Sequence, residues 1–372
     1  MGKTSTFEIG DKGLREIKDK VKSGERLSFS DGVKLFASSD LLTVASLADE
    51  VRRRKNGEKA YFIVNRHINH TNICVNRCPL CAFGKDEGEP GAYTLTLDEI
   101  EEKVADCRGR GIREIHIVGG LNERLGLSYF VEMFRRTKRL LPEAVIQALT
   151  AVEIDFLARR EGLDVEEVLK ILRAAGLGSL PGGGAEIFAP RVRQVISPRK
   201  ISGERWLEVH ETAHRLGIRT NATMLYGHIE SLKERVEHLI RLRALQDRTK
   251  GFQAFIPLAF HPENTRLKSL VPGPTTGYDD LKTLAVSRLM LDNFDHIKAF
   301  WIMIGPKLAQ VALLCGVDDI DGTVVEEKIA HDAGARTEQS ISRGELVKMI
   351  RAAGLLPVER DTLYNVIGEK SA

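Results

Sequence analysis

The feature that most constrains the fold is an alternation of strand-like and helix-like segments from about residue 60 onward. Short β-rich runs are each followed by an amphipathic helical pattern, among them YFIVNR at 61–66, EIHIVGG at 114–120 and FQAFIPLAF at 252–260. The last predicted strand of this series is IKAFWIMI at 297–304. At least six such repeats indicate βαβ units and therefore a parallel sheet. Repeats in this number favour an α/β fold of the TIM type, a full or nearly closed (β/α) barrel.

The chain divides into three predicted parts around this barrel. Residues 1–58 are predicted to form a helical N-terminal lead-in, because apolar residues recur at spacings of three and four and Ser and Asp stand at N-cap positions. Residues 59–310 are predicted to form the barrel core, with a cysteine-bearing loop at 67–90. Residues 311–372 are predicted to be a C-terminal extension that packs on the barrel.

Composition excludes several classes of partner. The formal charge is +3 over 372 residues, which argues against nucleic acid as the main partner. The most apolar segments are too short to span a bilayer. The N-terminus is charged where a signal peptide needs an apolar run. We therefore expect a cytoplasmic protein with no membrane partner, and its oligomeric state stays open.

Three of the five cysteines stand on one short loop with C-x3-C-x2-C spacing. They are Cys74, Cys78 and Cys81. An odd count with three clustered residues is poor material for disulfides, and in a reducing compartment it indicates a metal or cluster site. Cys107 and Cys315 lie far from the loop and are predicted to be buried apolar residues.

Two kinds of metal site fit three cysteines. A structural zinc site needs four ligands, and His67 or His70 could supply the fourth. A [4Fe–4S] cluster also usually takes four thiolates, so three leave one iron open to a substrate or cofactor.

The cysteine loop, with Phe83 beside the last cysteine and Gly119–Gly120 at the end of the second strand, resembles the radical S-adenosylmethionine superfamily. The resemblance implies that the cysteines hold a [4Fe–4S] cluster and that S-adenosylmethionine binds its open iron. It also implies that the glycine pair lets the backbone approach the methionyl group closely. The implied partner is a one-electron donor such as a flavodoxin or ferredoxin.

Further motifs cover nearly the whole chain and resemble the aminofutalosine synthase family of menaquinone biosynthesis. They include HINHTNICVNRCPLCAF from residue 67, LPGGGAEIF from 180, LAFHPENT from 258 and DDIDGTVVEEKI from 318. Cyclic dehypoxanthine futalosine synthase and the tyrosine-using enzyme of deazaflavin cofactor synthesis share the first two motifs and are the alternatives. The last two motifs favour aminofutalosine synthase. Asn122 departs from the family, in which a His followed by Pro is expected.

The resemblance implies a transferase reaction in which S-adenosylmethionine is consumed as a co-substrate. Its 5′-deoxyadenosyl radical adds to the vinyl carbon of 3-[(1-carboxyvinyl)oxy]benzoate and forms a C–C bond. Rearrangement and loss of the enol-ether carboxylate then give 6-amino-6-deoxyfutalosine and methionine.

In addition to Phe83 and the glycine pair, four residues that follow strands are predicted to bind the cofactor. Gly182 and Gly183 belong to a run of three glycines that invites backbone contact with a ligand. Glu153 and Glu186 are expected to hydrogen-bond the ribose hydroxyls or the methionyl ammonium, although each could instead cap a helix or pair with an arginine.

Four other residues are predicted to act on the substrate. Arg193 is expected to hold a carboxylate bidentately, with Lys200 as the second choice. His228 and His261 follow strands and could move protons or hold a carboxylate. Asp319 lies in the polar segment DDIDGT at 318–323, which is expected to follow a late strand or helix and could close over the substrate or cap a helix.

Two rival classes remain at this stage. A zinc- or cluster-stabilised scaffold or electron carrier would need only the cysteine loop, but it leaves the polar motifs after each strand without a use. A cluster-independent barrel of the aldolase kind would need a Schiff-base lysine at a strand end, and Lys298 is the residue that fits.

Overall fold

The computed structural model describes residues 12–368 and begins with three helices. They are α1 (Lys12–Ser23), α2 (Phe29–Ala37) and α3 (Leu41–Asn56). Ser28 forms a capping box with Asp31 at the start of α2, and Asp40 accepts a hydrogen bond from the N–H of Thr43 at the start of α3. These helices form the predicted lead-in. Its residues 1–11, and residues 369–372 of the predicted C-terminal extension, lie outside the described residues.

Ten strands and twelve further α-helices follow in the described part of the chain. The strands are β1 (Lys59–Ile63), β2 (Asn65–Ile68), β3 (Glu114–Ile117), β4 (Val145–Ala148), β5 (Leu177–Ser179), β6 (Thr220–Tyr226), β7 (Phe252–Ala259), β8 (His296–Ile297), β9 (Asp319–Gly322) and β10 (Leu356–Arg360). The helices are α4 (Leu97–Ala105), α5 (Leu127–Leu140), α6 (Ala151–Glu161), α7 (Val165–Ala175), α8 (Pro190–Ile196), α9 (Gly203–Arg215), α10 (Leu232–Thr249), α11 (Gly277–Met290), α12 (Trp301–Ile304), α13 (Pro306–Ala312), α14 (Ile329–Ala333) and α15 (Arg343–Ala352).

The strands are all parallel and pair in a ring. β2, β3, β4 and β5 form one sheet, and β6, β7 and β8 form a second. A bridge from Leu180 to Thr220 joins these two sheets, and a bridge from Lys298 to Asp319 joins β8 to β9. β9 pairs with β1, which continues into β2 after one residue, so the pairings return to their start. This ring, with helices outside it, confirms the prediction of a (β/α) barrel.

The ring continues past residue 310, where the sequence predicts the barrel to end, because β9 at Asp319–Gly322 belongs to it. β10 lies beside β1 on the other side and anchors the end of the chain. The lead-in packs on the outside of the barrel, with α3 against α11 and α2 against α10.

Three local predictions were wrong. The segment 297–304 was predicted as one strand, but only Ile297 is in β8 and residues 301–304 form α12, where the Trp301 indole N–H donates to the carbonyl of Gly322 (2.8 Å). Residues 177–179, just before the glycine run, were not predicted as a strand, yet they form β5 against β4. The segment beginning at Asp319 was predicted to follow a strand or helix, but it is itself β9.

None of the helices between residues 12 and 368 is both long and apolar enough to cross a membrane. The longest, α10, has 18 residues and a polar average composition, and it covers the barrel from outside.

Candidate active site

One cavity of about 310 Å³ opens at the carboxyl ends of the strands, where barrel enzymes place their sites. It also reaches down to Glu114, the first residue of β3, so it extends into the ring. Ten of the predicted site residues line it: Cys74, Cys78, Cys81, Phe83, Gly119, Gly120, Glu153, Gly182, Gly183 and Glu186. His261 lines it as well, whereas Arg193, His228 and Asp319 do not.

The three thiols of the cysteine loop face this one cavity and are free of disulfides. The N–H of Cys81 donates to the carbonyl of Cys78 (3.0 Å), and the N–H of Gly84 donates to the sulfur of Cys81 (3.4 Å). Burial raises the pKa of the Cys78 thiol to about 11. A soft cation that takes the thiolates would offset this cost, because metal ligation deprotonates thiols.

The glycine pair after β3 is the surface on which the cysteine loop packs. A Cβ at Gly120 would lie 2.2 Å from the carbonyl oxygen of Ile73 and 3.0 Å from the Cβ of Cys74. A Cβ at Gly119 would lie 2.6 Å from the ring of His70. Only glycine allows the loop to lie this close, so the pair is required by packing as well as by any ligand. The thiols, the shared cavity and this close approach fit a three-cysteine cluster.

Glu153 connects the loop after β4 to the glycine pair. Its carboxylate accepts hydrogen bonds from the N–H of Gly119 (3.1 Å) and the N–H of Thr150 (2.7 Å), at the start of α6. The prediction left open whether Glu153 binds a ligand or caps a helix, and the structure shows the cap. Burial raises the pKa of Glu153 to about 7. The same side chain also lines the cavity.

The glycine run after β5 is shaped by close contacts. Of its three members only Gly184 has a positive φ, at +85°, and a Cβ there would lie 2.4 Å from Val152. A Cβ at Gly182 would lie 2.7 Å from the backbone of Ala222. The run therefore brings the backbone against β6 and α6 at the edge of the cavity.

Glu186 and Lys200 form a buried ion pair at the thiol end of the cavity, with 2.5 Å between Nζ and Oε1. Burial alone would raise the pKa of Glu186, but Lys200 outweighs it and the pKa is lowered. Burial likewise disfavours charged Lys200, but Glu186 and the Cys78 thiol outweigh it and its pKa is raised. The pair places a fixed cation beside the thiols.

Arg193 and His228 have internal partners outside the cavity lining. The Arg193 guanidinium donates to the carbonyls of Ala185 (2.6 Å) and Ile187 (3.2 Å), within the segment that follows the glycine run. Nδ1 of His228 lies 2.8 Å from both the backbone nitrogen of Ile229 and Oε2 of the buried Glu230, and its Nε2 lies 3.0 Å from the carbonyl of Leu225. These contacts differ from the substrate contacts that the sequence predicts, because the polar atoms already have internal partners.

Asp319 and His261 also have internal partners. Asp319 is fully buried and accepts hydrogen bonds from Arg360 (2.6 Å) and Tyr364 (2.8 Å), which keeps its side chain away from the cavity. His261 lines the cavity, but its Nε2 lies 3.0 Å from the carbonyl of Met303. Asn122 binds the Thr94 hydroxyl (2.9 Å) and stands outside the cavity lining.

Sequence reasoning did not bring together a set of polar side chains in the deep part of the cavity, although it named His67 as a possible zinc ligand and Lys298 as a possible Schiff-base lysine. This polar floor consists of His67, His116, Gln147, Asn221, Lys298 and Asp321. His67, His116 and Gln147 are neighbours on the adjacent strands β2, β3 and β4. His116 precedes Gly119 by three residues, or about 10 Å along an extended chain. The clearest signal in the sequence was Gln147, which is the polar residue of the otherwise apolar strand VIQA.

The two histidines proposed as zinc ligands are placed differently. His67 belongs to the polar floor, whereas His70 packs edge-on against Phe130 with ring centroids 5.2 Å apart and does not line the cavity. Among residues 12–368 no group of three or more His, Cys, Asp or Glu side chains is arranged to hold a single metal ion.

The fold and this site define the class of the protein. The radical SAM superfamily matches residues 68–242, which include the cysteine loop and the glycine pair, and the family described as the CofH/MqnC C-terminal region matches residues 249–371. The chain belongs to the radical SAM superfamily and is an enzyme of the transferase kind. Membership implies a [4Fe–4S] cluster and S-adenosylmethionine.

Curated relatives align with nearly the whole chain. The aminodeoxyfutalosine synthase of Thermus thermophilus is 48% identical over 96% of this chain and 97% of the relative. The enzyme of the same name from Streptomyces coelicolor is 45% identical over 96% and 95%. The 5-amino-6-(D-ribitylamino)uracil–L-tyrosine 4-hydroxyphenyl transferase of Methanothermobacter thermautotrophicus is 41% identical over 98% of both chains.

Solved structures agree with the fold. Methylornithine synthase superposes with a TM-score of 0.73 at 20% identity, over 92% of this chain and 97% of that one. At this identity the likeness concerns the architecture alone.

Proposed function

We propose that this protein is an aminodeoxyfutalosine synthase that joins the 5′-deoxyadenosyl group of S-adenosylmethionine to 3-[(1-carboxyvinyl)oxy]benzoate. The C5′–S bond breaks with uptake of one electron, and C5′ bonds to the vinyl carbon. The aryl group then moves from the ether oxygen to the neighbouring carbon, and this oxygen becomes a ketone as the enol-ether carboxylate leaves as carbon dioxide or bicarbonate and the electron is returned. The products are 6-amino-6-deoxyfutalosine and methionine.

The observation that carries this proposal is the identity of 48% and 45% to two enzymes of that name over nearly the full chain. The motifs LAFHPENT and DDIDGTVVEEKI point to the same family. The geometry is compatible, because one cavity contains the thiol end and a deep apolar and polar region in which a second substrate can bind.

Cys74, Cys78 and Cys81 would hold the cluster, which together with S-adenosylmethionine supplies the 5′-deoxyadenosyl radical when both are bound. Gly119 and Gly120 let the cysteine loop lie against β3. Glu153 fixes the N–H of Gly119, and Glu186 with Lys200 places opposite charges at the same end for a zwitterionic methionyl group. Apolar side chains below them, including Ile256, Leu258 and Phe300, exclude water from a reactive primary radical.

A second candidate function is transfer of the 4-hydroxyphenyl group of tyrosine to a ribitylaminouracil. It is favoured by the 41% identity to the archaeal transferase over 98% of both chains. The match to the CofH/MqnC C-terminal region likewise keeps cyclic dehypoxanthine futalosine synthase as an alternative.

A substrate panel separates these functions. The reconstituted, reduced enzyme is given S-adenosylmethionine with the enol-ether benzoate, with tyrosine plus 5-amino-6-(D-ribitylamino)uracil, or with dehypoxanthine futalosine, and kcat/KM is measured for each. We expect turnover of the enol-ether benzoate to exceed that of the others by orders of magnitude. A higher kcat/KM for either of the other two would replace the proposed function with that one.

A further inference from the structure

The polar floor, defined above, lines the deep part of the cavity, away from the cysteine loop. We propose that Lys298, with His67 beside it, is the anchor for the ring carboxylate of an aryl carboxylate substrate and thereby sets the specificity of the enzyme. The identity of that substrate rests on the proposed function.

Lys298 has the donors that such an anchor needs. Its Nζ lies 3.0 Å from Oδ1 of Asp321, and both side chains are buried, at 6% and 8% exposure. Among the described residues Asp321 is the hydrogen-bond partner of this ammonium group. An ammonium group has three N–H donors, so the others are available to a ligand in the cavity that Lys298 lines.

His67 adds a neutral donor or acceptor and a flat apolar face. Its ring stacks on His116 with centroids 4.5 Å apart and lies parallel to Phe300 at 6.4 Å. Burial, His116 and Lys298 lower the pKa of His67 well below its ordinary value, so the ring is neutral. Its nitrogens make no hydrogen bond to other described residues, which leaves them for a ligand.

An unpaired amide oxygen in the floor is independent evidence that a polar group binds here. Asn221 is 3% exposed and lines the cavity, and among the described residues its Oδ1 has no partner. A buried acceptor without a partner is costly, and a carboxylate has no hydrogen to donate, so we expect a water molecule bound to the ligand carboxylate to donate to this oxygen.

The distribution of polar and apolar side chains along the cavity determines the orientation of the substrate. The thiol end and the polar floor are separated by an apolar section formed by Val118, Leu225, Ile256, Leu258 and Phe300. An aromatic ring fits this section. A ring carboxylate then points to Lys298, and the vinyl ether points to the thiol end, where the adenosyl group is delivered.

The other cations near the cavity are already engaged. Lys200 is paired with Glu186 beside the thiols, and Arg77 is paired with Asp86 (3.4 Å) and Glu89 (3.2 Å) on the cysteine loop. Lys298 is therefore the cation available to the deep part of the cavity. Since Asp321 shares the ammonium group, the ligand gains less than it would from an unpaired lysine.

The test measures binding of two unreactive probes, 3-ethoxybenzoate and 3-ethoxybenzamide, to the anaerobic holoenzyme with S-adenosylmethionine, by calorimetry. We expect the carboxylate to bind about 10- to 100-fold more tightly than the amide, the range for a hydrogen bond to a charged group. In Lys298→Met the two affinities should agree within about 2-fold, because the charge preference has gone. His67→Phe keeps an aromatic ring stacked on His116 but removes the ring nitrogens, and it should weaken binding of 3-ethoxybenzoate by about 5-fold.

Two further variants serve as controls. Lys298→Met leaves the Asp321 carboxylate buried without a counter-charge, and Lys298→Met/Asp321→Asn removes that cost. In this double variant, too, the carboxylate probe should lose its advantage in affinity over the amide probe. Lys307→Met removes one exposed lysine from α13 and should leave the ratio of the carboxylate and amide affinities unchanged.

The proposal is overturned if the Lys298 variants keep the carboxylate preference, or if the unchanged enzyme has none. Because the probes do not react, this result is independent of the assigned reaction. Collapse of the ratio in an enzyme that does not adenosylate the enol-ether benzoate would support the anchor and refute the proposed function.

Discussion

Gly120 shows how strongly a single residue can constrain this site. An added Cβ would meet the backbone of Ile73, which begins the approach to Cys74, and backbone cannot move aside as a flexible side chain can. The position of Cys74 therefore requires a residue without a side chain at position 120, just after the end of β3.

We predict that Gly120→Ala lowers the free energy of unfolding by about 1–3 kcal/mol, the range for overpacking, and reduces iron incorporation. Urea unfolding of the metal-free protein and iron analysis after reconstitution measure the two effects. Gly344→Ala is the matched control, because nothing lies closer than 4.0 Å to a Cβ there. Normal iron content and stability in Gly120→Ala would contradict the packing role.

Glu153 makes the stability of the metal-free protein depend on pH. Its pKa in the folded protein is about 7, above the ordinary 4.5. Because the pKa is raised on folding, the contribution of Glu153 to the free energy of unfolding is fully present below about pH 4.5 and is lost as the pH rises through 7.

We expect Glu153→Gln to flatten this dependence. Relative to the unchanged protein, the variant should gain up to about 3 kcal/mol between pH 5 and pH 8, since each pKa unit corresponds to about 1.4 kcal/mol. Urea unfolding at several pH values measures the difference, with the exposed Glu143→Gln as control. Parallel pH curves for the variant and the unchanged protein would show that Glu153 does not titrate in this range.

At the scale of elements, β9 is held by charges from distant parts of the chain. Asp319 accepts hydrogen bonds from Arg360 of β10 and from Tyr364, and Asp318 pairs with Arg288 of α11. These contacts let an acidic segment form a buried strand, because each carboxylate has cationic or hydroxyl partners.

Removal of one partner from the Asp319–Arg360 pair should be more harmful than removal of both. We predict that Arg360→Met lowers the free energy of unfolding by about 3–5 kcal/mol, because Asp319 is then buried without its main counter-charge. Arg360→Met/Asp319→Asn should recover a large part of the loss. A double variant that is less stable than the single one in urea unfolding would contradict this view of β9.

The loop after β9 contains three consecutive residues other than glycine with positive φ, namely Val324 (+64°), Val325 (+60°) and Glu326 (+67°). The left-handed conformation is unfavourable for residues with a Cβ, and more so for β-branched ones. The segment leads to Glu327 and Ile329, which line the cavity.

We predict that Val325→Gly is about 1 kcal/mol more stable than Val325→Ala, because both remove the methyl groups and only glycine relieves the strain. Thermal unfolding of the two variants gives the comparison. Equal or reversed stabilities would show that this backbone conformation is not strained.

The limits of prediction are also clearest at the scale of elements. The runs at 114–120 and 252–260 correctly predicted β3 and β7, because each is a mainly apolar β-rich segment followed by a helical pattern. Periodicity failed for β5, which has three residues and contains Gly178, and for β9, whose acidic residues need partners that are remote in sequence. It also failed for residues 301–304, whose bulky apolar side chains suit a strand equally well.

The same reasoning explains which site residues were found. The spacing of the cysteines indicates a metal or cluster site by itself, and the glycines gained their interpretation from the cysteines; both sets line one cavity. Arg193 was expected at the substrate because a guanidinium can bind a carboxylate bidentately, but its guanidinium is buried against main-chain carbonyls. The polar floor was missed because its members come from six strands or strand ends and converge only when the ring closes.

For the whole molecule, closure of the ring brings two family regions into one site. The cysteine loop and the glycine pair belong to residues 68–242, whereas His261, Lys298 and Asp321 belong to residues 249–371. The first region can thus serve the cofactor while the second provides much of the wall around a substrate.

The most direct test of the proposed reaction follows the adenosyl group itself. The reduced holoenzyme is mixed anaerobically with S-adenosylmethionine carrying ¹³C at C5′ and with 3-[(1-carboxyvinyl)oxy]benzoate, and the products are analysed by mass spectrometry. We expect the label in an arene-containing product that has lost one carboxylate, with methionine formed in equal amount. Label found only in free 5′-deoxyadenosine would contradict adenosyl transfer to this substrate.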